Sequence, residues 1–300
     1  MTEKQLVHKT VLVDEVLEYL DPKPGHVYLD ATFGSGGHTR AILEREPKCS
    51  VISLDWDQVA LDTYGPALKE EFGDRLTLIW GNFALLYKLV RENKIKRIDG
   101  VLADFGTSQI QIINRPGFSV HRDTPLDMRM SPAHQKITAA ELLNKGTEEK
   151  LREIFWQFGQ ERNARQIAAA IVQERVIKPF RTTKQLADLI ERVSPNKNRR
   201  IHPATQVFQA LRIYVNKELD NISAFLAAAT SALDEQGRLV CISFHSLEDR
   251  LVKQFFKEKE REGILNILTP HMISASEEEL RENPSSRSAC LRAAEKREEI

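Results

Sequence analysis

Tyr28-Leu-Asp30-Ala-Thr-Phe-Gly34-Ser-Gly36-Gly37-His38-Thr-Arg40 is the stretch from which the rest of the chain is read. A short apolar run ends in a carboxylate, a loop with three glycines follows, and Arg40-Ala-Ile-Leu begins a pattern with helical spacing. The order is therefore strand, loop, helix. Glycine lets a backbone approach a ligand without a Cβ in the way, and a new helix aims unpaired N–H groups and a positive dipole end at whatever lies before it. Gly34, Gly36 and Gly37 are read as a ligand cradle, against the plainer alternative of a glycine turn that binds nothing.

Spacing narrows the ligand. A dinucleotide fingerprint needs G-x-G-x-x-G, and Thr39 occupies the third glycine position, which weakens a pyrophosphate reading. What stands is Asp30-x-x-x-Gly34-x-Gly36, which resembles the first motif of doubly wound methyltransferases that use S-adenosylmethionine. That ligand has no phosphate; its carboxylate suits a helix N-terminus and its ammonium group needs an acceptor.

Outward from this stretch, Val51-Ile-Ser-Leu-Asp55 is a second buried-strand pattern ending in an acid. Doubly wound nucleotide folds place such an acid where it accepts from both ribose hydroxyls, so Asp55 is the ribose candidate, with Asp57 the alternative. Leu76–Trp80 is a third strand, and Asn82 and Phe83 directly after it suit the edge and face of an adenine. Ile98–Asp104 is a fourth, and Asp104 stands at the switch point of such a sheet. Before them, Val11 to Leu20 carries a helical stripe that Asp21-Pro-Lys-Pro-Gly25 stops.

From about Gln109 the periodicity fades. Arg115 to Met130 is rich in turn residues and charges, the kind of long loop where substrate contacts are placed. Helical patterns run from Ala139 to about Val176, and Thr182-Thr-Lys-Gln185 is a capping-box start for a helix to Val193. Ser194 to Pro203 is a basic loop containing Arg199, either a phosphate contact or a solvated charge run. One long helix is expected from Thr205 to about Leu233. Gly237 to His245 reads as the next strand. Ser243, His245, Ser246 and Asp249 are hydrolytic residue types, but no G-x-S-x-G elbow exists and strand neighbours face opposite ways. Ser246-x-x-Asp249 is instead expected to cap the following helix. His245 is either a substrate contact or a structural histidine. No H-E-x-x-H or Cys/His ligand spacing occurs, so no catalytic metal is expected.

Bulk properties bound these readings. The 300 residues, 41% hydrophobic, suffice for a sizeable core, and 43 basic against 43 acidic residues give a formal net charge of +0. A nucleic-acid partner would thus need a local patch. Three scattered cysteines, Cys49, Cys241 and Cys290, point to neither a disulfide framework nor zinc, and fit a reducing cytoplasm. The N-terminus lacks a leader-like apolar region, no run approaches a membrane span, and the charged last thirty residues are expected to be loosely held.

Taken together, the segments resemble the bacterial small-subunit ribosomal RNA methyltransferase H family, also called MraW. They are His8-Lys-Thr-Val-Leu, Asp30 to His38, Gly81-Asn-Phe83, Gly117-Phe-Ser119, Pro125-Leu-Asp-Met-Arg-Met130, Glu161-Arg-Asn-Ala-Arg165, His202-Pro-Ala-Thr205, Phe208-Gln-Ala-Leu-Arg212 and Ile242 to Arg250. They span nearly the whole chain in the family's order. The resemblance implies an α/β fold: a doubly wound, Rossmann-like methyltransferase sheet, residues 1–112 with 204–300, and an all-helical RNA-recognition insertion, 113–203. It implies S-adenosylmethionine held by Gly34, Gly36, Gly37, His38, Asp55, Phe83, Asp104 and Gln111. It also implies methylation of a cytosine N4 in 16S RNA of the small ribosomal subunit, near the decoding centre. The chain departs from the family at Asp104-Phe-Gly-Thr-Ser-Gln-Ile-Gln-Ile-Ile113, where Asp-Leu-Gly-Val-Ser-Ser-Pro-Gln-Leu-Asp is usual, and at Trp56, commonly Arg. No Pro-Pro-Tyr motif ends strand 4, so the base is assigned to the turn-rich segment. There Asp127 is an acceptor, a structural partner of Arg129 or a helix cap, Arg122 or Arg129 contacts phosphate, and His245 is the opposite wall. A homodimer is left open. The competing reading is a cofactor-binding ribosome-assembly or RNA-binding factor that transfers nothing; a nicotinamide oxidoreductase lacks its third glycine.

Overall fold

The computed structural model describes residues 9–106, 115–194 and 202–298. They form two compact units, Met1–Gly106 with Leu219–Ile300, and Thr107–Glu218.

In the first unit, α1 (Val13–Leu20), β1 (Val27–Asp30), α2 (Gly37–Arg45), β2 (Ser50–Asp55), α3 (Gln58–Phe72), β3 (Leu76–Trp80), α4 (Leu86–Glu92) and β4 (Gly100–Asp104) alternate along the chain. The second unit supplies α5 (Ala139–Lys145), α6 (Glu148–Gly159), α7 (Ala164–Ile177), α8 (Thr183–Val193) and α9 (Thr205–Asn216). The chain then returns through α10 (Glu218–Ala232), β5 (Arg238–Ser243), α11 (Ser246–Arg261), β6 (Leu265–Ile267), β7 (Ile273–Ser274), α12 (Glu277–Glu282) and β8 (Cys290–Lys296).

The eight strands make one sheet in the order β3-β2-β1-β4-β5-β8-β6, with β7 also on β8. The first five are parallel and β8 runs antiparallel to β5. Parallel strands covered by helices on both faces must be apolar throughout, and these are. Leu29, Leu54, Val101, Ala103 and Leu239 pack on one face with Phe225 and Leu226 of α10 and Val252 and Phe256 of α11. Their strand neighbours Tyr28, Val51, Leu102, Val240 and Ile242 pack on the other with Val16, Leu20, Ile42 and Leu68. The order reverses between β1 and β4, so the carboxyl ends of β1, β2 and β4, each an aspartate, gather at the crevice where such folds bind ligands. No helix among the described residues is long and apolar enough to cross a membrane.

Three expectations are corrected. The single helix from Thr205 to Leu233 is two, because Lys217 takes a left-handed backbone, φ 51°. The apolar stripe continues across the break, with Phe208, Leu211 and Val215 in the helical core and Ile222 under the sheet, so periodicity alone does not show it. The division after residue 203 moves accordingly: α9 belongs with α5 to α8, and the helical unit ends at Glu218. The described C-terminal residues, through Glu298, are built into the sheet rather than loosely held. β8 is hydrogen-bonded on both sides, Arg292 pairs with Asp249 (Nε–Oδ1 2.6 Å) and Glu295 with Arg238 (3.0 Å), and Lys296 Nζ donates to the Leu233 carbonyl (2.6 Å).

Candidate cofactor site and the turn-rich segment

Asp30, fully buried, binds the loop from beneath. Its carboxylate accepts from the Thr32 N–H (3.1 Å) and the Thr39 hydroxyl (2.7 Å), and Thr39 also meets the Ser53 hydroxyl at 2.7 Å. Burial raises the Asp30 pKa. Thr39, the residue that breaks the dinucleotide spacing, is therefore the tie between loop, β1 and β2. Asp55 binds from the side, with Oδ2 accepting from Gly34 N–H and Oδ1 from Asp57 N–H, both at 2.8 Å. Burial pushes its pKa up to about 6 against the lowering effect of those two bonds, helped by the charges of Asp57 and Asp30. Asp57, the alternative ribose acid, caps α3 through Val59 N–H.

The helix after the loop starts earlier than its apolar pattern, at Gly37, which puts His38 in the first turn of α2. Gly36 precedes it with φ 81° and offers no capping side chain. A Cβ there would fall 2.7 Å from Leu68 Cδ2 and 3.0 Å from the Phe33 ring. His38 is 5% exposed, and neither ring nitrogen has a hydrogen-bond partner among the described residues. Its Nε2 lies 3.6 Å from Asp104 Oδ2, too far for a hydrogen bond, and Asp104 Oδ1 is likewise buried without a partner. Leaving such groups unsatisfied costs about 1–3 kcal/mol apiece. A glycine turn that bound nothing gives no reason for that cost; a ligand carrying donors and acceptors does.

Beyond β3, Asn82 caps the following turn through Ala84 N–H (2.9 Å), so its amide oxygen serves the backbone. Phe83 is half-buried on an aromatic nest that the sequence did not announce: Phe225 at 5.4 Å edge-on, Phe105 at 6.0 Å and Trp56 at 6.4 Å. Those partners come from three other elements, and only Trp56, next to Asp55, carried a local hint. A ring held this way offers a fixed apolar face to a flat base.

At the end of β5, the helix cap sits one residue earlier than expected. His245 is the N-cap of α11: its Nδ1 accepts from Glu248 N–H (3.4 Å), and Glu248 Oε2 accepts from His245 N–H (3.3 Å) and Phe244 N–H (2.8 Å). The box needs an acceptor at the cap and a carboxylate three residues on, and His245 with Glu248 meets that register. Asp249 is drawn away by Arg292.

In the helical unit, Asp127 and Arg129 meet as a fork. Arg129 Nε and Nη2 donate to the two carboxylate oxygens at 2.7 and 2.9 Å, and the Arg129 N–H adds a third bond at 3.1 Å. Burial raises the Asp127 pKa, but these bonds and the charges of Arg129 and Arg115 outweigh it and leave the carboxyl below its usual value. The turn is strained where it matters: Met128 has φ 64°, and Gly117, φ 97°, packs so closely on the Asp127 and Met128 amides that a Cβ would lie 2.9 and 2.6 Å away. Asn216, which sequence reasoning missed, clamps it, accepting from Met130 N–H and donating to the Met128 carbonyl, both at 2.8 Å. Arg122 is exposed. Gln111 and Arg199 lie outside the described residues.

The MraW methylase family model matches residues 5–297 of this sequence. The ribosomal RNA small subunit methyltransferase H of Coprothermobacter proteolyticus is 46% identical over 292 residues, which is 96% of this chain and 96% of that one. Its counterpart in Thermomicrobium roseum is 45% identical over 306 residues, 96% of this chain and 93% of the relative. A solved structure of an rRNA methylase from Streptococcus thermophilus aligns over 95% of this chain and 94% of its own, with 11% identity and a TM-score of 0.43.

Proposed function

The chain belongs to the MraW methylase family, whose members are S-adenosylmethionine-dependent methyltransferases, and on that premise we propose that it methylates the N4 amino group of a cytosine in 16S ribosomal RNA of the small subunit, near the decoding centre. The observation that carries the cofactor half is the acid-ringed turn, where both His38 ring nitrogens and Asp104 Oδ1 are buried without a hydrogen-bond partner among the described residues, beside a helix start that has no side-chain cap. The relatives' names and their coverage of both units support the RNA half.

The residues present fit the cofactor. The first-turn amides of α2 suit its carboxylate, His38 and Asp104 its amino-acid end, Asp55 its ribose hydroxyls, and Phe83 its adenine. When bound, it supplies a methyl group activated on a sulfonium. The chain's task is then alignment. A cytosine amino nitrogen is a poor nucleophile because its lone pair is delocalised into the ring, and holding the reacting groups in line is worth on the order of 7 kcal/mol or more. We assign to Asp127 the acceptor role toward that amino group. The Arg129 fork fixes its orientation and keeps it ionised, and lone pairs remain on both oxygens. Unstacking the base costs a few kcal/mol, which an exposed loop in an assembled subunit reduces. Three free thiols suit a cytoplasmic setting.

Incubation with methyl-labelled S-adenosylmethionine and small subunits lacking the modification tests this reading. Label recovered as N4-methylated cytosine supports it. Tight cofactor binding without transfer favours the assembly-factor alternative.

A further inference from the structure

The four residues before α1 are gripped from the far end of the chain. Asn283, 4% exposed, donates through its side-chain amide to the main-chain carbonyls of Lys9 (3.0 Å) and Thr10 (3.4 Å). Glu279 accepts from the Leu12 N–H at 2.9 Å, where Leu12 holds a left-handed φ of 52°, unusual for a branched residue. Glu282 pairs with Lys9 at the surface. Asn283 is fixed in turn, since its carbonyl accepts from the N–H (3.0 Å) and the hydroxyl (2.7 Å) of Ser286, and the chain runs on from there into β8. The grip is therefore anchored in the sheet.

Within this Lys9–Leu12 segment, Thr10 packs against the start of α2. A Cβ added to Gly37 would lie 1.7 Å from Thr10 Oγ1 and 3.0 Å from Thr10 Cβ. Gly37 has an ordinary helical backbone, so glycine is needed there for room, and Thr10 fills that room. Asp30 and Asp55 fix the loop from the sheet side, while a helix start made of glycines has no side chain of its own to define its direction.

We propose that Asn283, with Glu279, is a positioning residue for the cofactor loop: by clamping the Lys9–Leu12 main chain it keeps Thr10 against Gly37 and so sets the first turn of α2. The inference rests on reading that turn as the S-adenosylmethionine cradle. It makes cofactor affinity depend on a side chain 246 positions away in sequence from the residue it steadies.

Asn283→Asp keeps the shape but removes both donors; Thr10→Gly removes the contact and leaves the clamp intact. Each is expected to weaken S-adenosylhomocysteine binding, read by calorimetry on the full chain, by about tenfold, with the double variant no weaker than about the worse single. In ligand-free protein both should speed hydrogen exchange across residues 34–44 and leave β8 unchanged. kcat at saturating cofactor should hold while its KM rises. The inference is overturned if Asn283→Asp lowers only the melting temperature, with affinity within about twofold and loop exchange unchanged, or if the two variants' effects add. Should Asn283→Asp fail to fold, Thr10→Gly carries the test alone through the same two readouts, and unchanged affinity and exchange overturn the inference. A wild type that binds no S-adenosylhomocysteine would sink the cofactor reading, and the exchange data would still decide the clamp.

Discussion

The proposed ribose role of Asp55 makes ligand affinity depend on its burial in a way that pH can measure. Its pKa of about 6 arises because burial disfavours the anion more than two backbone N–H groups favour it. When only the anion accepts from both ribose hydroxyls, the apparent dissociation constant is the intrinsic one divided by the ionised fraction. For a pKa of about 6 that fraction is about 0.1 at about pH 5 and close to 1 at about pH 8. S-adenosylhomocysteine should therefore bind about tenfold more weakly at the lower pH, and Asp55→Asn should bind weakly at both with a flat profile. Ligand-free stability provides the second reading. The folded pKa lies above the ordinary aspartate value of 3.8, so between the two the native state holds more protons than the unfolded chain. Stability contributed by this group is then fully present below about 4 and falls as pH rises through about 6. At 1.36 kcal/mol per unit the total loss is about 3 kcal/mol. The stability difference between Asp55→Asn and wild type, from urea titrations, should shift by about 2 kcal/mol in the variant's favour from about pH 4 to about pH 7. Any constant cost of mispairing the Gly34 and Asp57 amides cancels in that comparison. Parallel pH profiles for the two proteins would refute both the buried-anion account and the ribose role.

Gly36→Ala puts a side chain at φ 81° against Leu68 and Phe33 and should cost about 1–3 kcal/mol in urea unfolding; a loss under about 0.5 kcal/mol contradicts the steric reading. Phe83→Ala should lower S-adenosylhomocysteine affinity about tenfold, while Phe83→Leu, which keeps part of the apolar face, falls between; unchanged calorimetry would remove Phe83 from the adenine site. Asp127→Asn should lower kcat on the order of a hundredfold with cofactor affinity within about twofold, and equal loss of both would take Asp127 out of the chemistry. Thr182→Ala removes one half of the α8 capping box and should destabilise the protein by about 1 kcal/mol, seen as a shifted denaturant midpoint at constant m value.

What could be read without coordinates was whatever depends on neighbours a few residues apart. The strands ending at Asp30, Asp55 and Asp104, the glycine turn between β1 and α2, and the Thr182–Gln185 box all stand where the pattern put them, because burial period and capping are local rules. Family resemblance extended that reading to the cofactor and the RNA. Charge composition misled at the C-terminus for the opposite reason: Arg292 and Glu295 are partnered by Asp249 and Arg238, more than forty positions away.

The sequence by itself determined that the chain alternates strands and helices, which acids end the strands, and that a glycine turn opens the second helix. Tertiary structure alone decided that Thr39 ties that turn to Asp30, that His38 faces Asp104 at 3.6 Å with no hydrogen bond to either ring nitrogen among the described residues, that His245 rather than Ser246 caps α11, and that Lys217 ends α9. The physical reason is that backbone periodicity is set within a turn or two of chain. A buried polar atom finds its partner, or lacks one, only when segments far apart in sequence pack together.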